Sequence, residues 1–228
     1  MAPVLMRNRT STARFGAGAT TGAAVLALCL ALTACSSGSK KKTTTEPTTT
    51  QPPKVLTVTT ATLKIGKVDV QSAGPPNVQI DKATGKAVLT AAQKYIDTAV
   101  FGPLGKGQLG SGYGALFDRG LQKVATGPDT PALTDLDVGK VRTFTAKATP
   151  VNLSALVGTL GEMMYIATDF DLTVKATATA GPLTITHHVE LTFAQTGKSW
   201  LVTAYRVQSV RKTTKGTTTT TAKAGSTP

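Results

Sequence analysis

The C-terminal half of the chain alternates between apolar and polar residues, which is typical of strands with one buried face. Residues 164–176 form the first such strand, and its apolar face is Met164, Ile166, Phe170, Leu172, Val174 and Ala176. A turn at residues 180–182 leads to a partner strand, whose inward set is Leu183, Ile185, His187, Val189, Leu191 and Phe193. A second turn at residues 195–197 precedes a last strand over 200–210, so an antiparallel meander is predicted.

A helical period precedes these strands. Apolar residues recur at intervals of three and four, namely Val88, Leu89, Ala92, Tyr95, Ile96, Ala99 and Val100. Gly102 and Pro103 predict the end of this helix, and a glycine-rich loop follows. A second, shorter helix is marked by Tyr113, Leu116, Phe117, Leu121 and Val124.

Two further strands are predicted around these helices. One covers residues 62–71, with a bulge or turn at Gly66, and the other covers residues 141–148. Helices followed by a long antiparallel meander predict an α+β fold.

The N-terminus has the pattern of a bacterial export signal. Arg7, Arg9 and Arg14 precede a stretch without charge, whose most apolar part is residues 23–32. This part is shorter than the ~20 residues of a membrane-spanning helix, so a signal peptide is predicted.

The apolar stretch ends in Leu32, Thr33, Ala34 and Cys35, which resembles the lipobox of bacterial lipoproteins. The resemblance implies that the Cys35 thiol receives a diacylglyceryl group, whose two acyl chains anchor stably in a bilayer. The alternative is an ordinary secretory signal with an incidental cysteine. The Ser-Ser-Gly-Ser that follows favours the lipobox, because it begins a tether. We therefore expect a lipid-anchored protein on the extracytoplasmic face of the cell membrane.

Composition divides the chain into four parts. Residues 36–54 are mainly Ser, Lys, Thr and Pro, and residues 212–228 repeat this composition with a threonine run at 217–221. Such segments contain too few apolar side chains to offset the entropy of ordering. We predict a signal peptide over 1–34, a disordered tether over 35–54, one α+β domain over 55–211, and a disordered tail over 212–228.

Charge and cysteine content limit the chemistry. The formal net charge is +13, but residues 55–211 hold 15 basic and 11 acidic residues without a basic stripe, so nucleic-acid binding is not predicted. Both cysteines, Cys29 and Cys35, precede this domain. Disulfides and thiolate chemistry are therefore excluded from it, and its two histidines predict neither a metal nor a cofactor.

A resemblance to a known family rests on the last strand. The sequence Lys198-Ser199-Trp200-Leu201-Val202, followed by Tyr205, resembles the nuclear transport factor two-like superfamily. The segment from Leu116 to Asp135 is similar to lipid-anchored actinobacterial proteins of unknown function. The resemblance spans roughly residues 60–211. It implies a curved antiparallel sheet that wraps the helices into a cystatin-like cone with an apolar pocket.

Within such a pocket, His187, Tyr95 and Phe170 are the candidate ligand-binding residues. His187 is in phase with the inward apolar set, so it is either a pocket base or ligand-orienting group, or a hydrogen-bonded core histidine. Asp169 and Asp171 share a face with polar residues, which indicates solvent.

Three further features are given a structural interpretation. His188 and Glu190 are expected to form cross-strand pairs with the two aspartates. The spacing of Gly105, Gly107 and Gly110 matches a dinucleotide fingerprint, but it follows a helix rather than a strand, so a flexible loop or lid is predicted. Trp200 is expected to pack in the core.

The superfamily includes isomerases, dehydratases, cyclases and binding modules, so the fold does not select a function. We favour a non-catalytic module that binds a small apolar ligand or an envelope protein. The alternatives are an isomerase- or hydrolyase-type enzyme that uses the cone pocket, and a structural spacer at the cell wall.

Overall fold

A computed structural model describes residues 57–225. The strands are β1 (Val58–Thr59), β2 (Ile65–Ser72), β3 (Thr143–Ala148), β4 (Val151–Val157), β5 (Met163–Ala178), β6 (Gly181–Thr196), β7 (Ser199–Thr213) and β8 (Gly216–Ala224). The helices are α1 (Lys82–Ile96), α2 (Gly102–Lys106), α3 (Arg119–Ala125) and α4 (Thr130–Leu133). A π-helical turn covers Asp97–Phe101, and a 3-10 turn covers Gly114–Leu116. The domain is therefore mixed α+β, as the sequence predicts.

The predicted signal peptide, Cys35 and the tether lie outside the described residues. Within residues 57–225, no helix is long and apolar enough to span a membrane.

One mostly antiparallel sheet contains all eight strands. Its order is β1-β3-β5-β6-β7-β8, with β4 paired to β5 and β2 paired to β4. The 16-residue strand β5 pairs with β4 along its first half and with β3 along its second half. The pairs β1–β3 and β2–β4 are parallel. Strand β4 has no counterpart among the predicted elements.

The predicted irregularity at Gly66 is confirmed. The register between β2 and β4 shifts between Ile65 and Val68. A Cβ atom on Gly66 would lie 2.8 Å from Cβ of Pro150, so the bulge needs a glycine there. The predicted inward face of β6 is also confirmed, because all six of its residues are buried. On β5 the prediction is wrong for Met164, which is 42% exposed, because the register between β4 and β5 shifts there and leaves Met164 unpaired with β4.

Asp81 caps the N-terminus of helix α1, and its carboxylate accepts hydrogen bonds from the amides of Ala83 and Thr84. The prediction that this helix ends at Gly102 and Pro103 is wrong. The chain continues through the π-helical turn into α2, since a proline in the first turn of a helix needs no amide donor. It ends at Gly107, which has a left-handed φ of 75°.

The second predicted helix is interrupted at Phe117. Extended backbone at this residue separates the 3-10 turn from α3, and the amide of Asp118 donates to the Val202 carbonyl at 3.0 Å. Asp118 then caps α3 through the amide of Leu121. Contact with strand β7 therefore overrides the helical period in this segment.

The prediction of a disordered tail from residue 212 is wrong for the described residues. β7 extends to Thr213, and β8 pairs with it from Gly216 to Ala224. Threonine is polar but favours strands, and the edge of β7 supplies backbone hydrogen-bond partners. Composition predicted disorder here because it contains no information about whether a strand edge is available for pairing.

Candidate functional site

His187 is buried and hydrogen bonded. Its position in β6 points it into the core, where Nε2 lies 2.9 Å from Oδ2 of Asp135. The side chain of His187 is 1% exposed, and that of Asp135 is 0% exposed. The Asp135 amide donates to the Ala99 carbonyl at 3.1 Å, which fixes this loop against the helical layer.

Arg211 of β7 completes this group, which we call the charge cluster: the buried Asp135 and His187, the largely buried Arg211, and the half-exposed Asp137. Nη2 of Arg211 donates to Oδ1 of Asp135 at 3.0 Å and to the Thr134 carbonyl at 3.2 Å, and Nη1 donates to Asp137. Burial alone lowers the pKa of Arg211, but the hydrogen bond to Asp137 and the charge of Asp135 outweigh it and raise that pKa. The cluster joins β6, β7 and the loop after α4.

The other two candidate residues also lie in the core. Tyr95 is 1% exposed, and its hydroxyl donates to the Leu133 carbonyl at 2.7 Å. Burial raises the pKa of Tyr95 well above its usual value. Phe170 is 3% exposed and pairs with Val189, two residues from His187. The structure therefore places the three candidates on α1, β5 and β6 as parts of one packed interior.

A separate aromatic cluster connects the helices to β7. Phe117 packs edge-on against Tyr113 and Tyr205, with ring centroids 5.3 Å and 5.9 Å apart. The Tyr205 hydroxyl donates to Oδ2 of Asp129 at 2.6 Å. Sequence analysis missed Asp129 and Asp135, because both pair with residues more than 50 positions away and neither belongs to a periodic segment.

The outer face of β5 and β6 carries the predicted charged ladder. Asp169 pairs with Glu190, and Asp171 pairs with His188. Nδ1 of His188 lies 3.0 Å from Oδ1 of Asp171, and Nε2 lies 3.2 Å from Oε1 of Glu190. The two aspartates are more than half exposed, so the prediction of a solvent-facing ladder is confirmed. The hydrogen bond to Asp171 is the main cause that raises the pKa of His188.

The Trp200 groove is an open cavity of about 500 Å³ between α1 and the β6–β7 hairpin. Its lining consists of Ala83, Lys86, Ala87, Thr90, Ala91, Lys94, Ala115, Leu116, Lys198, Ser199, Trp200 and Leu201. Trp200 packs against the core, as expected, but it is only partly buried and also borders this groove. The hairpin turn at Gly197 places the indole at the end of the sheet, beside the helix.

Three lysines make the groove basic. Lys86, Lys94 and Lys198 are exposed, and no acidic residue of the described chain belongs to the lining. Within residues 57–225, none of the three forms a salt bridge. The groove thus combines an apolar floor with an unneutralised positive rim. Neither His187 nor Tyr95 lines it.

The site and the sheet define a mixed α+β domain with an apolar, basic surface groove. Among the described residues, no group of three or more His, Cys, Asp or Glu side chains is placed to hold a metal ion. No protein-family model matches the chain, and neither a curated protein nor a solved structure matches it.

Proposed function

We propose that this chain is an exported, lipid-anchored binding module that holds a small apolar ligand at the outer face of the cell membrane. The observation that carries the proposal is the Trp200 groove. Its volume of about 500 Å³ lies within the range of small-molecule sites, which are mostly apolar with a few polar anchors. An envelope protein is the other partner class that such a surface would suit.

The membrane anchor in this proposal rests on Cys35. The lipobox pattern of residues 32–35 directly follows the apolar part of the signal, and the Ser-, Thr- and Lys-rich segment behind it is suited to be a tether. The domain would then meet ligands that are present at the bilayer surface.

A non-catalytic role is supported by the state of His187. A general base must reach the proton that it removes, directly or through one water molecule. The Nε2 atom of His187 is instead engaged by Asp135 in the core, and Arg211 engages the other carboxylate oxygen. This arrangement favours the core-histidine interpretation, in which the charge cluster joins β6 and β7 to the loop after α4.

The proposal includes the cone of the nuclear transport factor two-like superfamily. Its support is the packing of α1 in the same core as the long strands β5 to β7, through Val88, Ala92, Tyr95 and Ile96. Side chains such as Tyr95 and Phe170 occupy this interior. The surface groove is therefore the better ligand site.

Metabolic labelling with a palmitate analogue tests the anchor. The wild-type chain should incorporate label during export, and the Cys35→Ser variant should not. Cys29→Ser is the matched control, because Cys29 lies inside the apolar signal and should not affect labelling. Equally weak labelling of wild type and Cys35→Ser would contradict the lipoprotein proposal.

Native mass spectrometry of residues 36–228 tests ligand binding. We expect a retained small molecule in the wild-type protein and its loss in Ala87→Phe, because a phenyl ring on this exposed helix position fills the groove. Ala73→Phe is the control, since Ala73 is exposed and outside the groove. A ligand-free wild type would contradict small-molecule binding and favour the envelope protein.

A further inference from the structure

A row of alanine side chains forms one wall of the Trp200 groove. Ala83, Ala87 and Ala91 recur at intervals of four along α1, so this wall presents methyl groups to the groove. The opposite wall is the indole of Trp200 with Leu201, and Leu116 lies at the same cavity. Small side chains on one wall and a flat ring on the other leave a trough along the helix.

The rim of the trough selects for negative charge. Lys86 and Lys94 come from α1, and Lys198 comes from the hairpin turn on the other wall. Lysine side chains lay their methylene stems along apolar surfaces and keep the ammonium group in water. An ammonium group attracts phosphate or carboxylate as a point charge. A ligand that complements this groove is therefore largely apolar and carries a negative charge that faces the rim.

We infer that the Trp200 groove binds an anionic lipid with a single acyl chain, and this inference rests on the proposed binding function. The acyl chain lies between α1 and Trp200, and the head group lies at the basic rim to which Lys86, Lys94 and Lys198 contribute. Anchoring through Cys35 would hold the groove near anionic membrane lipids, which favours a lipid over an acidic peptide. No residue in the groove needs to act chemically on this ligand.

Trp200 provides a direct readout, because it is the only tryptophan of the chain. Residues 36–228 are titrated with lysophosphatidylglycerol below its micelle-forming concentration, and tryptophan emission is recorded. Lysophosphatidylcholine with the same acyl chain is the matched neutral probe. We expect a saturable blue shift with both lipids, and an affinity about tenfold higher for the anionic lipid.

Charge-reversal variants test the head-group assignment. Lys86→Glu combined with Lys94→Glu should remove the preference for lysophosphatidylglycerol. Both residues are exposed, so the fold should be retained, which circular dichroism checks. Lys147→Glu combined with Lys175→Glu makes the same change in net charge on exposed strand positions outside the groove and should keep the preference.

Each contrary result overturns a defined statement. Equal affinity for the two lysolipids, or an unchanged preference in the Lys86 and Lys94 variant, overturns the anionic head group while leaving a groove that binds apolar chains. If phosphatidylglycerol vesicles bind but monomeric lysolipid does not shift Trp200 emission, the inference is overturned in favour of a contact with the bilayer surface. The proposed function fails separately, through an absence of Cys35 labelling or of a retained ligand.

Discussion

Nε2 of His187 lies 2.9 Å from Oδ2 of Asp135, and both side chains are buried almost completely. The second oxygen of this carboxylate accepts a hydrogen bond from Arg211. One aspartate on a loop thus satisfies two nitrogen-bearing side chains on neighbouring strands. Removal of a single partner from such a buried group is costly, because the remaining polar atoms stay away from water.

Replacement of Asp135 by alanine should therefore destabilise the domain strongly. We expect the free energy of unfolding to fall by about 3–5 kcal/mol, as for other buried pairs that lose one member. Asp137→Ala is the matched control, since Asp137 contacts the same arginine but is 51% exposed. It should cost at most about 1 kcal/mol. Urea denaturation of both variants measures the difference, and equal losses would contradict a structural role specific to Asp135.

The exposed ladder around His188 should make stability depend on pH. Its pKa is raised, mainly by the hydrogen bond to Asp171, so the folded state favours the protonated imidazole. The resulting stabilisation is complete below the unfolded pKa of about 6.5 and is lost as pH rises through the folded pKa. The His188 side chain is 41% exposed, and solvent screening should limit the effect to less than about 1 kcal/mol.

Urea denaturation at pH 5.5 and pH 9 checks this dependence in wild type and in His188→Gln. We expect the wild type to lose more stability than the variant between the two pH values. An NMR titration of the His188 ring provides the independent measurement of its pKa. Identical pH dependence in the two proteins would show that the ladder does not contribute to stability.

The predictable part of this fold follows from local geometry. The period of two placed His187 among buried residues. The turn predicted at residues 180–182 lies at residues 179–180, and it sets the register that pairs His188 with Asp171. The glycine at position 66 also predicted the bulge in β2. The alternation and the β5–β6 register depend only on neighbouring residues along the chain or on one hairpin, whereas the Gly66 bulge also involves the distant strand β4.

The features that sequence reasoning missed depend on distant contacts. Asp135 follows a short helix and meets His187 across 52 positions, so no spacing rule connects them. Trp200 has the apolar character of a core residue, but the hairpin places it beside α1 at the end of the sheet. A threonine run forms a strand only when it can pair with the edge of a sheet, as β8 does with β7. Composition alone does not show whether such an edge is available.

Truncation tests the role of the threonine-rich strand. A chain that ends at Thr213 lacks β8 and exposes the edge of β7, and it also loses the buried side chain of Ala222. The loss of several backbone hydrogen bonds should lower the free energy of unfolding by about 2–4 kcal/mol. A chain that ends at Gly225 keeps β8 and should match the wild type. Equal stability of the two truncated chains would support a tail that does not contribute to the fold.

The glycine-rich segment after α1 provides the last prediction. The amide of Gly110 donates to the Thr98 carbonyl at 2.9 Å, and a Cβ atom on Gly110 would lie 2.7 Å from Cα of Thr98. Gly110→Ala must therefore displace backbone, and we expect a loss of about 1–3 kcal/mol. The sequence-based prediction of a flexible loop or lid would instead leave stability nearly unchanged.

Gly105→Ala is the control for this substitution. Gly105 lies in α2, and the nearest atom to its added Cβ, on the ring of Phe144, is 4.0 Å away. Alanine is favoured over glycine in a helix by up to about 1 kcal/mol, so this variant should be neutral or slightly more stable. Thermal unfolding of both variants separates the two interpretations. If Gly110→Ala lowers stability and Gly105→Ala does not, Gly110 lies in a packed contact with the helical segment. If both variants change stability only slightly, the flexible loop or lid is favoured.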